Sequence, residues 1–316
     1  MIKKTDAFIE YNTEKDTYSI RLKAPLSVCW QITTKCNLNC KYCISNSNMN
    51  GDYGLSTEKA KEIINQLGSI GVNRLDFTGG EPLMRKDLKE LIECSKNNNI
   101  NTIVTTNTVL LNDENIEWLK LADLVQVSID GPENIHNFQR NANVYKKTID
   151  NIVKLKNAGC KIRLNSFIFN SNKMYVQDLI DLSKNLDLFS HLFIIFTPQG
   201  RGREHTEEII PEEEVEKIKE IILKSKENDK RNIRLYDYNE YLHSCVLLTP
   251  KGDVISQGFY EEDSINVGNI FEKPLEELFQ NTNFDHPTHN CTIYKGGLNN
   301  GNKDRQYCIN KWNNNK

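Results

Sequence analysis

The sequence contains no long apolar segment. No run of about 18 consecutive apolar residues, the minimum for a membrane-spanning helix, occurs in its 316 residues. The first residues, Met1 to Asp6, turn polar before any apolar stretch of useful length, so we expect no export signal. The composition, with 38% hydrophobic and 26% charged residues, instead predicts a globular protein with one large core and at most a small appendage.

The sequence also lacks an excess of charge of either sign. Forty basic residues oppose forty-three acidic ones, which gives a net charge of −3. The basic field that drives non-specific binding to nucleic acids is therefore missing, and we expect no nucleic-acid partner.

A paired-cysteine framework of the secreted type is missing as well. The nine cysteines are odd in number and spread over a long chain, unlike the dense disulfide scaffold of a small secreted domain. Thiols that bind iron need reducing surroundings, so we expect a cytoplasmic protein.

Three of these cysteines lie at CxxxCxxC spacing directly after the apolar run Val28 to Ile32. They are Cys36, Cys40 and Cys43. Three thiolates on one short loop can hold three irons of a [4Fe-4S] cluster and leave the fourth iron open for chemistry. A structural zinc site is a weaker alternative, because it needs four ligands and no fourth Cys or His lies nearby in sequence. Three buried free cysteines are weaker still, because polar residues separate them.

The cysteine loop, with Tyr42 directly before its third cysteine, resembles that of the radical S-adenosylmethionine (radical SAM) family. The resemblance implies a [4Fe-4S] cluster on Cys36, Cys40 and Cys43, whose open iron takes the amino and carboxylate groups of SAM. It also implies reductive cleavage of SAM to a 5′-deoxyadenosyl radical that abstracts hydrogen from a substrate carbon. An electron donor such as flavodoxin or ferredoxin is the expected protein partner, since the cofactors carry the chemistry and must be reduced.

Short β-rich runs alternate with segments of helical spacing. The strand candidates are Val28 to Ile32, Arg74 to Phe77, Thr102 to Thr105, Leu124 to Ile129, Ile162 to Phe169 and His191 to Phe196. The helix candidates are Thr57 to Leu67, Lys86 to Lys96, Asp113 to Leu121, Tyr145 to Asn157 and Val176 to Asn185. The pattern predicts the α/β class, as an open doubly wound sheet or an incomplete barrel. The family resemblance favours a partial (β/α)6 TIM-like barrel.

We expect three segments: an N-terminal extension (1–24), a radical SAM core (25–205) and a small α+β C-terminal extension (206–316). The last contains a charged helix candidate, Glu212 to Lys226, and short strands at Cys245 to Leu248 and Asp253 to Ser256. It resembles in outline the SPASM or Twitch extension of many family members, which holds auxiliary clusters. Most of the expected cysteines are missing, and Gln257 stands in the place of one. We therefore expect a single cluster.

The sequence Thr78-Gly79-Gly80-Glu81 follows the second strand candidate, and its glycines allow the backbone to approach a ligand closely. It resembles the GGE motif of the family. By that resemblance Gly79 and Gly80 line the SAM site and Glu81 binds the methionyl amino group. The alternative is a turn in which Glu81 favours a helix N-terminus.

Polar residues also occupy the ends of two later strand candidates. They are Thr106 and Asn107, and Ser128 and Asp130. Because parallel strands end at one rim, we expect these residues on the same rim as the cysteines. Asn165 lies on the next strand candidate, where the resemblance implies a contact to SAM or substrate. The resemblance implies contacts to SAM through its ribose hydroxyls or its carboxylate. Ordinary turn chemistry, or a satisfied polar group in the case of Asn165, is the alternative.

Further candidates lie beyond the sixth strand candidate. Arg201 and Arg203 could bind a substrate anion, although a solvated basic loop is favoured. Cys245, Cys291 and Cys308, with His286 and His289 near in sequence, are either a residual cluster site, a thiol hydrogen donor or remnants of a lost site, and loss is favoured. Cys245 is the candidate for a catalytic hydrogen donor.

The resemblance to SPASM-type proteins favours peptide or protein modification, with maturation of ribosomal peptides as the main expectation. A small molecule of cofactor or natural-product biosynthesis is a close alternative, because about 25 N-terminal residues leave no room for a peptide-recruitment domain. The GTP cyclase of molybdenum-cofactor synthesis is less favoured, since the C-terminal glycine pair is missing. A non-catalytic metal-binding protein is the last alternative, and it would not need the motifs on the later strands.

Overall fold

A parallel β-sheet forms the centre of the molecule, seen here in a computed structural model that describes residues 7–12, 17–22, 24–227, 231–236, 245–255, 266–280 and 293–294. The strands are β1 (Ala7–Asn12), β2 (Thr17–Leu22), β3 (Ser27–Gln31), β4 (Arg74–Thr78), β5 (Asn101–Thr106), β6 (Leu124–Ser128), β7 (Ile162–Ile168), β8 (Ser190–Ile195), β9 (Asn232–Tyr236), β10 (Cys245–Leu248), β11 (Asp253–Ile255), β12 (Asn266–Asn269) and β13 (Ile293–Tyr294). The α-helices are α1 (Thr57–Ser69), α2 (Leu88–Asn97), α3 (Asp113–Leu119), α4 (Glu133–Arg140), α5 (Tyr145–Asn157), α6 (Val176–Asn185), α7 (Glu212–Glu227) and α8 (Leu275–Gln280). Gln257, His286, His289, Cys291 and Cys308 lie outside the described residues.

The main sheet has the strand order β12-β11-β10-β3-β4-β5-β6-β7-β8-β9. In this order, every adjacent pair from β10-β3 through β8-β9 is parallel. The two remaining pairs, β12-β11 and β11-β10, are antiparallel. A separate sheet has the order β1-β2-β13. The parallel run with its intervening helices confirms the predicted α/β class.

The parallel core extends past the predicted boundary at residue 205. Strand β9 pairs in register with β8, and α7 contributes Val215, Ile218 and Ile222 to the main apolar core. The run from β3 to β9 therefore has seven strands rather than the predicted six. The sequence did not reveal this because β9 alternates apolar with polar residues and α7 is dominated by its charged face.

The C-terminal strands are part of the same sheet. Strand β10 pairs with β3, and Leu248 and Val254 are buried in the main core. The described strands of the predicted extension 206–316 therefore continue the core sheet, and the division at residue 205 stays a prediction. Parallel pairing between distant segments leaves no local sequence signal.

Helix α1 shows how the layers pack around the sheet. The Ser56 side chain caps the helix by accepting from the Lys59 amide, and the apolar positions Ile63, Ile64 and Leu67 are buried against the sheet. Helix α4 is different, because its buried residues are polar, and the sequence analysis missed it. Within the described residues no helix is long and apolar enough to cross a membrane.

Candidate functional site

The three cysteines lie in the segment that follows β3, at the edge of the sheet where its parallel strands end. Backbone hydrogen bonds hold this segment at two points: the Cys36 amide donates to the Asn48 carbonyl at 2.9 Å, and the Lys41 amide donates to the Gln139 carbonyl of α4 at 3.0 Å. Cys36 and Cys40 are buried, and the third cysteine, Cys43, is partly exposed. The loop is therefore anchored by contacts outside itself.

Each of the three sulfur atoms has a polar neighbour. These neighbours are the Leu38 amide, 3.4 Å from Cys36 Sγ, the Arg140 guanidinium, 4.0 Å from Cys40 Sγ, and the Ser45 hydroxyl, 3.4 Å from Cys43 Sγ. Groups that donate to sulfur favour the thiolate and tune an iron cluster. Burial raises the pKa of the Cys36 thiol to about 12 and also raises the pKa of Cys40. The buried thiols thus need a cationic ligand to remain ionised.

This donor set fits a cluster better than a single ion. Among the residues that the structure describes, no group of three His, Cys, Asp or Glu side chains is placed to hold one metal ion. In a [4Fe-4S] cluster each thiolate binds an iron of its own, so the three sulfurs need not converge on one point. A structural zinc ion would need a closed shell of four ligands, which the described part of the chain does not supply.

Apolar side chains surround the loop and exclude water. Tyr42 is central among them, with its ring centroid 5.0 Å from that of Phe167 and 4.8 Å from that of Phe169. Its hydroxyl donates to Asp130 at 2.8 Å. Both its ring and its hydroxyl thus anchor the loop within the protein, and that Tyr42 contacts the cofactor stays a prediction.

Asp130 has several partners within the protein. Its side chain is completely buried and accepts from Tyr42, from Arg140 Nε at 2.8 Å and from the Phe167 amide at 3.1 Å. These contacts hold Arg140 beside Cys40. That Asp130 also contacts SAM stays a prediction.

The sequence analysis did not single out Arg140 or His136. Both are buried on α4, four residues apart and so on one face of the helix. His136 Nδ1 accepts from the Asp130 amide at 3.3 Å, and burial, aided by the nearby Arg140 charge, lowers the pKa of His136 to about 4. The available signal for this helix was the spacing of Asp130, His136 and Arg140 in the sequence. It was missed because helices were recognised by the periodicity of apolar residues, which these polar residues do not show.

Glu81 lies at the end of β4 with its side chain 1% exposed. Its Oε1 accepts from Thr106 Oγ1 at 2.7 Å and from the Leu83 amide at 3.1 Å, and its Oε2 accepts from the Asn107 amide at 2.8 Å. Burial raises the pKa of Glu81 to about 7, although these hydrogen bonds oppose the shift. A carboxylate has about four acceptor positions, so one remains for an ammonium group. The bond to Leu83 also caps a 3₁₀ helix (Pro82–Met84), as the alternative reading predicted.

The two glycines are needed for packing between loops. Gly79 has a φ of +141°, and a Cβ there would lie 2.3 Å from the Thr33 carbonyl oxygen. A Cβ on Gly80 would lie 2.1 Å from the Lys35 carbonyl oxygen. Any side chain would therefore push this turn away from the segment that leads into Cys36. That they line a SAM site stays a prediction.

Of the other predicted polar residues, Asn107 lies beside the cysteine loop. Asn107 Nδ2 donates to Asn37 Oδ1 at 2.9 Å and lies 3.9 Å from Cys36 Sγ. Ser128 and Asn165 are paired across β6 and β7 and are both buried. Asn165 Oδ1 has no hydrogen-bond partner within the described structure, which fits an acceptor for a ligand donor.

The structure also places two of the outer residues. Cys245 pairs with Ser27, the first residue of β3, whereas the cysteine loop follows Gln31, the last. Cys245 is thus at the opposite edge of the sheet, which disfavours a role at this site, and its function as a hydrogen donor stays a prediction. Arg201 is not a solvated side chain, because it donates to carbonyl groups of the cysteine loop.

Comparisons with known proteins agree with this geometry. The family model described as "Radical SAM superfamily" matches residues 30–184. The AdoMet-dependent heme synthase of Methanosarcina barkeri is 27% identical over 293 residues, which cover 82% of this chain and 83% of that protein. The GTP 3′,8-cyclase of Clostridium botulinum (strain Hall) is 31% identical over 288 residues, which cover 78% of this chain and 89% of that protein. This chain spans only about half the length of other heme synthases that it matches.

A solved structure supports the fold. Streptococcus suis SuiB bound to S-adenosylmethionine superposes with a TM-score of 0.70 at 17% sequence identity, over 85% of this chain and 68% of that one. The similarity confirms the partial-barrel form of the parallel sheet.

Proposed function

The chain belongs to the radical SAM superfamily, and on that premise we propose that it acts on a small molecule of cofactor biosynthesis. The observation that carries the proposed chemistry is the meeting of three donor-flanked thiols with a buried carboxylate at one edge of the sheet, and the substrate class rests on the relatives. When bound, a [4Fe-4S] cluster and SAM supply reductive cleavage to a 5′-deoxyadenosyl radical.

Each residue of the site has a role in this proposal. Cys36, Cys40 and Cys43 would each hold one iron through a thiolate. Glu81 would accept from the amino group of SAM at its remaining acceptor position, and Asn165 Oδ1 would accept from a second donor of the ligand. The buried aromatic residues around Tyr42 would keep water from a reactive species.

The relatives favour a small-molecule substrate. Similarity to a heme synthase and to a GTP cyclase extends over more than four fifths of each protein. The peptide-modifying expectation has support from fold similarity at 17% identity, which speaks to the fold and not to the substrate.

The test begins with protein reconstituted anaerobically with iron and sulfide and reduced with dithionite. We expect it to release 5′-deoxyadenosine from SAM, and Cys43→Ala to release none. Cys94→Ala is the matched control, because Cys94 lies on α2 away from the site and should release as much as the parent.

The substrate class is tested by the extra 5′-deoxyadenosine formed when a candidate is added. GTP is the first compound to add, followed by the small-molecule and peptide fractions of an extract from the producing organism. We expect GTP or the small-molecule fraction to stimulate the release. Stimulation by the peptide fraction alone would contradict the proposed substrate class while leaving the SAM cleavage intact.

A further inference from the structure

The segment after β8 lies directly on the cysteine loop. The Arg201 side chain donates through Nε to the Cys40 carbonyl at 2.8 Å and through Nη2 to the Ser47 carbonyl at 2.9 Å. The Arg201 amide donates to the Cys43 carbonyl at 3.0 Å. One residue thus binds three points of the loop that carries the thiols.

The contact joins distant parts of the sheet. Four strands separate β3 from β8, so their following segments meet only because the sheet curves. Gly200 makes the approach possible: its φ is +54°, and a Cβ there would lie 2.4 Å from the Cys43 carbonyl oxygen and 2.5 Å from that of Ile44. A larger residue would lift Arg201 from the loop.

We propose that Arg201 is a positioning residue that fixes Cys40 and Cys43 relative to each other and so holds the cluster in the geometry that SAM requires. The inference rests on the proposed function, because it assumes a cluster on these thiols. The planar guanidinium is suited to the task, since it presents donors in a fixed fork that reaches two carbonyl groups at once. A lysine ammonium is a point donor on a flexible stem and cannot hold both carbonyls in the same way.

The experiment compares Arg201→Gln and Arg201→Lys with Arg203→Gln. Arg203 is exposed and two residues away, so its variant controls for loss of a nearby positive charge. Each protein is reconstituted anaerobically and assayed for iron content, for the rate at which a ferrous chelator removes iron, and for the change that SAM causes in the electron paramagnetic resonance spectrum of the reduced cluster.

We expect Arg201→Gln to lose iron about tenfold faster than the parent and to need about tenfold more SAM for the same spectral change. Arg201→Lys should give values of both quantities between those of the parent and of Arg201→Gln, and Arg203→Gln should match the parent. The spectral change is decisive, because a residue that only stabilised the fold would leave it unaltered in the protein that keeps its cluster.

Three outcomes overturn the inference. One is an Arg201→Gln protein that matches Arg203→Gln in both chelation rate and SAM response. If Arg201→Gln fails to fold, Arg201→Lys is compared with the parent instead. An Arg201→Lys protein with the chelation rate and SAM response of the parent overturns the inference. A parent protein that binds no iron would overturn the proposed function first and this inference with it.

Discussion

The Arg140 guanidinium donates to the Asp130 carboxylate at 2.8 Å, and the two side chains are 9% and 0% exposed. Removing one partner from such a pair leaves the other charge buried without compensation. We expect Asp130→Asn to lower the free energy of unfolding by about 3–5 kcal/mol. Urea unfolding of the apoprotein measures the change.

The control for this substitution is Asp150→Asn, which removes a carboxylate of the same size from an exposed position on α5. It should alter the free energy of unfolding by no more than about 0.5 kcal/mol. An Asp130→Asn protein as stable as this control would show that the buried pair contributes no net stability.

Apolar periodicity predicted most of the sheet and the helices around it. The bounds of α5 and α6 match the structure at both ends, because each helix buries apolar residues at helical spacing, among them Ile152 and Leu155 of α5. The sequence analysis did not predict helix α4, because its buried positions are His136, Gln139 and Arg140. Periodicity detects only elements whose buried side is apolar.

The sequence likewise predicted one part of the candidate site and not another. The cysteine loop could be located from spacing, because its ligands are close in sequence. The roles of Tyr42 and Asp130 could not, since their hydrogen bond joins residues 88 positions apart. Likewise, the placement of Cys245 depended on the pairing of β10 with β3, which joins strands from opposite ends of the chain.

Glu81 makes the stability of the apoprotein depend on pH. Its pKa is raised from 4.5 to about 7 in the folded chain, chiefly by burial. Because the folded state favours the protonated acid, the carboxyl group costs stability as the pH rises from about 4.5, and the cost is complete above about 7. We therefore expect the stability of Glu81→Gln relative to the parent to increase across this range, by a total on the order of 3 kcal/mol.

The measurement is chemical denaturation of both apoproteins at several pH values between 4.5 and 8, with the exposed Glu93→Gln as the control. The same Glu81→Gln protein, loaded with its cluster, should bind SAM more weakly by about 1.5–3 kcal/mol, because a charge-assisted bond is lost. A pH-independent stability difference would contradict the buried-acid argument, and unchanged SAM affinity would leave Glu81 as a helix cap alone.

Cys245→Ser tests the location of that thiol. Since Cys245 lies at the start of β10, at the edge of the sheet opposite the cysteine loop, the substitution should leave SAM cleavage and substrate turnover within about twofold of the parent. The assay measures the amount of 5′-deoxyadenosine and the amount of product separately in the same reaction. A variant that still cleaves SAM but forms no product would restore the hydrogen-donor role.

The number of clusters is the last prediction. The described residues contain one loop with three thiols, and Gln257 stands where a cluster-binding extension would offer a cysteine, so we expect one [4Fe-4S] cluster, about four irons per chain. Anaerobic reconstitution followed by iron and sulfide analysis should give this value for the parent. The variant with Cys36, Cys40 and Cys43 all changed to Ala should retain almost no iron. If that variant keeps about four irons with a cluster-like absorbance, Cys291 and Cys308 have supplied ligands for a second cluster, and the single-cluster expectation is wrong.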